Sequence, residues 1–165
     1  MTMRRVNAIW QHPLYQSYYR RLEKLEQDRP FCRHQMSHLL DTARIACIRS
    51  LEAGLGLNRE VIYAAAILHD IGKSLQYEKQ IPHETAGRRI AAEILGTLPP
   101  DASFSEAETE MILTAIEGHR RLRPDPQPLE RLLYESDKAS RTCFSCPAEP
   151  QCDWSEEKKN KEILI

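Results

Sequence analysis

Apolar residues recur at spacings of three and four along most of the chain, a pattern typical of amphipathic α-helices. Residues 6–27 form the first such stretch. Pro13 lies inside it and predicts a break or kink near residue 12, because proline cannot continue a helix without disturbing the preceding turn. A second helix is predicted over 32–52, where the apolar stripe is broad.

Capping signals place the ends of the later helices. Asn58 is a predicted N-cap, and Ser105 with Glu108 three residues later has the pattern of a capping box. Pro128 suits the first turn of a helix. The predicted helices are 58–70, 83–95, 105–118 and 128–137, and the predicted loops are 71–82 and 119–128.

No part of the sequence has the pattern of a β-strand. Period-two alternation never extends beyond a few residues, and no hairpin dipeptide lies between apolar runs. The sequence therefore predicts an all-α protein, a compact bundle of about six to seven helices. One domain is expected over 1–142, with helix 6–27 packed on it, followed by a cysteine-rich tail over 143–165.

Composition narrows the class of protein. The 165 residues are 41% hydrophobic and 28% charged, which is ordinary for one soluble domain. With a net charge of −1, the chain has no overall excess of basic residues of the kind that binds nucleic acid. No apolar run approaches the ~20 residues of a membrane span, and no secretory signal is evident. We expect a cytoplasmic protein, in whose reducing environment disulfides are rare.

Histidines and aspartates lie at the ends of five predicted helices. The apolar run 64–68 leads directly into a His-Asp pair, and an unpaired charge there would be costly to bury. Each residue alone is more readily explained as a hydrogen-bonded structural group. Together, imidazoles and carboxylates form a ligand set for Fe, Mn, Zn or Ni. The candidates are His38, His69, Asp70, His83, His119 and Asp137.

The order and flanks of these residues resemble a known family. His38 is followed by His69-Asp70 in Ala-Ile-Leu-His-Asp-Ile-Gly-Lys, and then by Asp137 in Glu-Ser-Asp-Lys-Ala-Ser-Arg. This series is similar to the HD-domain metal-dependent phosphohydrolases over roughly residues 30–142. The resemblance implies the HD-domain helical bundle, with these four residues holding one metal ion.

Two further histidines extend the resemblance to subfamilies that bind two metals. His83 and His119 lie between the His-Asp pair and the last Asp, and the resemblance implies that Asp70 bridges the two ions. The expected cofactor is one or two divalent ions, namely Fe, Mn, Ni or Mg. Arg120 stands where subfamilies that hydrolyse dinucleoside polyphosphates often have Thr, which argues against that substrate.

Such a site would need cations for its substrate. A bound divalent metal activates water and polarises a phosphoryl oxygen, while nearby cations neutralise the other oxygens. Asp70 and Lys73 are the predicted catalytic residues, with Arg121 and Arg123 as weaker candidates for binding charge. The predicted substrate-binding residues are Lys73, Arg120, His34 and Arg141.

The cysteines suggest a second metal site. Cys143, Cys146 and Cys152 are one ligand short of a structural zinc or iron–sulfur site, and Cys32 could complete the set. Free thiols, a reversible disulfide or a redox-active cluster are the alternatives. Cys47 lies on an apolar helix face and is expected to be a small core residue.

The leading functional prediction is a metal-dependent phosphohydrolase that acts on a nucleotide or another small phosphate ester. The alternatives are a nucleotide-sensing regulatory module without turnover and a di-iron oxygenase. The expected partner is a small phosphate-bearing molecule, with neither membrane nor nucleic acid. A homodimer is compatible with the sequence.

Overall fold

Residues 2–165 are described by a computed structural model, in which they form α-helices and short 3₁₀ turns without any strand. The all-α prediction is confirmed. Residue 1, the start of the predicted domain, lies outside the described residues. The eight helices are α1 (Arg4–Gln11), α2 (Pro13–Leu25), α3 (Met36–Glu52), α4 (Arg59–Leu68), α5 (Lys73–Lys79), α6 (His83–Gly96), α7 (Glu106–Gly118) and α8 (Pro128–Ala139).

Pro13 divides the first apolar stretch into α1 and α2, as predicted. His12 lies in extended conformation between them, and its Nδ1 accepts a hydrogen bond from the Leu14 amide at 3.2 Å. The imidazole therefore satisfies one of the amides left free at the start of α2. Both helices pack on the domain, α1 against α4 and α2 against α5.

Helix α4 is the centre of the bundle and contacts α1, α3, α7 and α8. Asn58 caps its first turn by accepting from the Glu60 amide at 2.9 Å, as predicted. The residues from 64 to 68 are all buried, and three of them are alanines. Small side chains let neighbouring helices approach closely, so the C-terminal end of α4 is enclosed on all sides.

Two local predictions differ from the structure. Residues 71–82 are not all loop, because α5 forms within them and packs on α2 and α6. Helix α3 begins at Met36 rather than at residue 32, and the hydroxyl of Tyr19 accepts a hydrogen bond from its first amide. With the break at Pro13 and the presence of α5, residues 2–165 contain eight α-helices, in keeping with the predicted helical bundle.

The tail after residue 142 contains three 3₁₀ turns and is tied to the domain by polar contacts. The Asn160 side chain donates to the carbonyls of Lys138 at 2.6 Å and Arg141 at 2.7 Å, which satisfies acceptors at the end of α8. Within residues 2–165, every helix is too short or too polar to cross a lipid bilayer.

Candidate metal centre

The six predicted metal ligands come from five different helix ends and meet in the interior. Five of them are buried, and Asp137 is the most accessible, with 15% of its side chain exposed. Each is held by the helix it begins, ends or follows. The residues are His38 of α3, His69 and Asp70 after α4, His83 of α6, His119 after α7 and Asp137 of α8.

Gly72 allows the turn after α4 to pack directly on the start of α6. A Cβ added at this position would overlap the carbonyl oxygen of His83 and lie 2.5 Å from the backbone nitrogen of Gly87. A glycine two residues after Asp70 therefore lets that carboxylate approach His83. Glycine suits this position because it has no Cβ to collide with the backbone of α6.

One set of ligand atoms lies around Asp70 Oδ2. His69 Nε2 is 3.0 Å from this oxygen and His38 Nε2 is 3.4 Å from it. Asp137 Oδ1 completes the set, 3.2 Å from His38 Nε2 and 3.6 Å from His69 Nε2. One ligand atom from each of these four residues lies within 4.8 Å of all the others.

A second set lies around Asp70 Oδ1. This oxygen is 3.5 Å from His83 Nε2 and 3.8 Å from His119 Nε2, and the two nitrogens are 3.0 Å apart. The two sets therefore share Asp70 through opposite oxygens of its carboxylate. A carboxylate that bridges two metal ions presents its oxygens in this way.

Hydrogen bonds at Nδ1 direct Nε2 of each histidine toward these sets. The Nδ1 atoms of His69 and His119 each contact a backbone carbonyl at 2.6 Å. A carbonyl can only accept, so Nδ1 carries the proton and Nε2 presents its lone pair in the neutral ring. His38 Nδ1 contacts Ser140 Oγ at 2.9 Å, and His83 Nδ1 contacts Gln76 Oε1 at 2.5 Å. Such outer contacts orient metal-binding histidines.

Three buried atoms at the centre have no hydrogen-bond partner. They are His69 Nε2, Asp70 Oδ2 and Asp137 Oδ1. An unsatisfied buried polar atom costs about 1–3 kcal/mol. When the His69 ring is neutral, these atoms are lone-pair donors that face one another, so a shared cation would satisfy all three. The residues present therefore fit a divalent metal.

The electrostatics of the site favour a cation at the same place. Burial opposes charge, yet His69 holds the pKa of Asp70 well below its usual range. His69 is itself buried, but Asp70 and Asp137 beside it raise its pKa to about 10. In the absence of a metal ion, a proton on the His69 ring would balance the charge of the two carboxylates. Burial lowers the pKa of His83 to about 2 and that of His119 to about 4, which keeps both rings neutral.

The predicted substrate-binding residues surround a cavity above the two sets. Lys73, Arg120, His34 and Arg141 all line it. The Arg141 guanidinium is buried, with Nη2 3.1 Å from His38 Nε2 and 3.7 Å from Asp137 Oδ1.

Two weaker candidates have different outcomes. Arg121 also lines the cavity. Arg123 does not, because its guanidinium is paired with the buried Glu130 at 2.6 Å. The prediction for Arg123 is therefore wrong, and this arginine stabilises the start of α8 instead.

His34 lies in the loop before α3 rather than on the helix. Its ring is nevertheless 6.0 Å from that of His38, and its Nδ1 contacts the carboxylate of Glu26. Glu26 is fully buried and also accepts from the Tyr77 hydroxyl at 2.8 Å. Sequence reasoning missed Glu26, because one glutamate at the end of an amphipathic helix has no local signature.

Other side chains were also missed. Ser140, which contacts His38, lies in the stretch around Asp137 that carried the resemblance. Its place in that stretch could have identified it as part of the site. Lys138 lines the cavity with its ammonium 3.4 Å from the centre of the Tyr134 ring, and Trp154 lines it from the tail. No pattern in the tail indicates that it would reach the site.

The chain has relatives along its full length and along the central part. It is 45% identical over 161 residues to an uncharacterized protein of Clostridium beijerinckii, covering 98% of this chain and 99% of that one. It is 31% identical over 118 residues to ribonuclease Y of Salinispora arenicola, covering 72% of this chain but 18% of that protein.

A solved structure shares the fold, and a family model identifies the family. A crystal structure of a predicted HD superfamily hydrolase from an uncultured Thermotogales bacterium superposes with a TM-score of 0.62 at 17% identity, covering 87% of this chain and 80% of that chain. The model of the HD domain matches residues 36–142, which contain all six candidate ligands. The resemblance inferred from the sequence is confirmed, and the chain belongs to the HD-domain family.

Proposed function

We propose that the protein is a metal-dependent phosphohydrolase that acts on a nucleotide or another small phosphate ester. One observation carries this proposal: the two ligand sets that share Asp70 open onto a cavity lined by cations. The proposed metals are Fe, Mn, Ni or Mg, bound as one or two divalent ions.

The cavity suits a small anionic ligand in both size and charge. Its volume is about 490 Å³, within the range of small-molecule sites. Basic side chains cluster in its lining although the net charge of the whole chain is −1, so the positive field is confined to the cavity. They are Lys73, Arg120, Arg121, Lys138, Arg141 and Lys158.

Aromatic and apolar side chains on the same lining favour a nucleotide over a simple phosphate. Tyr134, Trp154 and Leu122 lie beside the basic residues. Aromatic faces stack on nucleobases, while guanidinium and ammonium groups bind phosphate oxygens. The cavity therefore offers surfaces for both parts of a nucleotide.

Roles for the surrounding residues follow from their positions. Divalent metal at the shared carboxylate would supply an activated water and Lewis acidity toward a phosphoryl oxygen. Arg141, buried beside His38 and Asp137, is placed to donate hydrogen bonds to the oxygens of a bound phosphoryl group. Lys73 lies close to Asp70, and burial lowers the pKa of its ammonium. Both cations are pre-positioned for charge that develops in the transition state.

A ribonucleotide phosphodiester is a second substrate class, and the similarity to ribonuclease Y favours it. The chain spans only 18% of the ribonuclease Y sequence it matches, and its net charge gives no extended track for RNA. A dinucleotide or a short oligoribonucleotide would present the same phosphate chemistry as a mononucleotide ester.

The test is a hydrolysis screen of chelator-treated protein supplied separately with Mn²⁺, Fe²⁺, Ni²⁺ or Mg²⁺. Nucleoside mono-, di- and triphosphates, dinucleotides and short oligoribonucleotides would be the substrates. We expect metal-dependent phosphate release or strand cleavage that is lost in His69→Ala. His12→Ala is the matched control, because His12 lies outside the site.

Two results would contradict the proposal. One is activity that survives chelation and the loss of His69. The other is tight nucleotide binding without turnover under any metal, which would favour the sensing module. Oxygen consumption on addition of organic substrates would instead favour the di-iron oxygenase.

A further inference from the structure

Four cysteines from distant parts of the chain line one small cavity. One lies in the loop between α2 and α3, and three lie in the tail. All are free thiols, and none belongs to the two ligand sets around Asp70. They are Cys32, Cys143, Cys146 and Cys152, here called the cysteine quartet.

All four thiols line this cavity, and the three tail thiols lie close enough to Cys32 to affect its ionisation. Burial raises the pKa of the Cys32 thiol, and each of the other three thiols raises it further through charge repulsion. Arg141 acts in the opposite direction. Four converging thiols that form no disulfide are a complete ligand set for a structural zinc ion or an iron–sulfur cluster.

The fifth cysteine serves as an internal comparison. Cys47 lies on α3, packs against the hydrophobic core and takes no part in the cavity. The convergence of thiols is therefore specific to the quartet, and the remaining cysteine does not take part in it.

The separation of the sulfurs distinguishes the two kinds of centre. In tetrahedral zinc sites the Zn–S bond of about 2.3 Å brings any two sulfurs to about 3.8 Å. Within residues 2–165, the groups of three or more ligand atoms lying within 4.8 Å of one another contain no cysteine. An iron–sulfur cluster spreads its thiolates over different iron atoms and so accepts a wider arrangement.

We propose that the cysteine quartet ligates an iron–sulfur cluster that fastens the tail to the loop before α3. No element of this proposal depends on phosphohydrolase activity. The cluster takes the place of an extensive apolar contact, since the tail is secured to the domain largely by polar groups such as Asn160.

The position of the quartet connects it to the substrate cavity. Cys143 follows Arg141 by two residues, and Cys152 precedes Trp154 by two. Arg141 contacts His38, while Trp154 and Lys158 form the tail side of the substrate cavity. A cluster at the quartet would therefore hold one wall of that cavity in place.

The test begins with wild-type protein purified without oxygen. We expect iron and acid-labile sulfide in the protein, together with visible absorption that bleaches on reduction. Sulfide is the decisive readout, because the histidine and aspartate ligands around Asp70 bind no sulfide. His69→Ala should lose metal from that site and keep its sulfide.

Variants then locate the cluster. Cys146→Ser and Cys152→Ser should lose sulfide and the visible absorption, whereas Cys47→Ser should keep both. Helical content by circular dichroism shows whether each variant folds. In folded variants without cluster, trypsin should cleave at Lys158–Lys161 faster than in wild type, because the tail is released.

Two outcomes overturn the proposal. Wild-type protein without sulfide but with zinc that is lost from Cys146→Ser would make the site a zinc centre. Wild-type protein with neither sulfide nor zinc at the quartet would leave four free thiols. Because the sulfide content is measured in the wild type, the proposal stays testable even if a variant fails to fold.

Discussion

Gly72→Ala tests whether the close approach of the His-Asp turn to α6 is as tight as the structure indicates. The new methyl carbon would overlap the carbonyl oxygen of His83, lie 2.5 Å from the nitrogen of Gly87 and lie 3.1 Å from the carbonyl carbon of Ala86. All three obstacles are backbone atoms, which cannot rotate away as a side chain would.

The cost follows from overpacking in a rigid interior. Such insertions destabilise by about 1–3 kcal/mol, and backbone obstacles place Gly72→Ala at the upper end of that range. For a domain of this size, each kcal/mol lowers Tm by about 2–4 °C, so we expect a fall of about 6–12 °C. The same shift would move Asp70 relative to His83 and weaken metal binding.

Gly96→Ala is the matched control. Gly96 is the last residue of α6, and a Cβ there meets nothing within 4 Å. This substitution should be neutral or stabilise by up to about 1 kcal/mol, since it restricts the unfolded chain. Thermal and denaturant unfolding of metal-free protein measure both variants. Equal stability of Gly72→Ala and Gly96→Ala would refute the packing argument.

Three further predictions concern side chains around the site. Ser140→Ala removes the partner of His38 Nδ1 and should weaken Mn²⁺ binding by about 10–100-fold in equilibrium titration; an unchanged affinity would exclude the orienting role. Arg141→Lys removes the guanidinium fork and should lower kcat/KM by about 10–100-fold, whereas unaltered kinetics would place substrate elsewhere. Burial opposes ionisation of Glu26, but hydrogen bonds from His34 lower its pKa from 4.5 to about 2. The ionised Glu26 therefore stabilises the fold above pH 4.5, and this contribution is lost as the pH falls toward 2. Acid unfolding should therefore depend less steeply on pH in Glu26→Gln, and parallel curves would contradict this.

The convergence of the six candidate ligands was predictable because each residue lies beside a strongly periodic apolar segment. The run before His69 indicates burial, and buried imidazole and carboxylate need a partner. The order of the motif residues predicted which of them would meet. His38 and Asp137 are distant in sequence, yet their ligand atoms lie 3.2 Å apart. The capping box of Ser105 also formed as predicted.

Elements stabilised by tertiary contacts escaped prediction. Helix α5 has few apolar residues and depends on packing against α2 and α6. Arg123 was indistinguishable in sequence from the cavity arginines, and only the fold shows that Glu130 is its partner. The approach of Trp154 to the cavity depends on the path of an irregular tail, which no periodicity determines.

We propose that Asp70 joins two metal sites through the two oxygens of its carboxylate, because one oxygen faces each ligand set. Equilibrium Mn²⁺ binding to chelator-treated protein distinguishes one metal site from two, with His83→Ala compared against wild type. His83 belongs only to the second set, so we expect about two Mn²⁺ per chain in wild type and about one in the variant. No bound Mn²⁺ in wild type, or the same stoichiometry in both proteins, would contradict it.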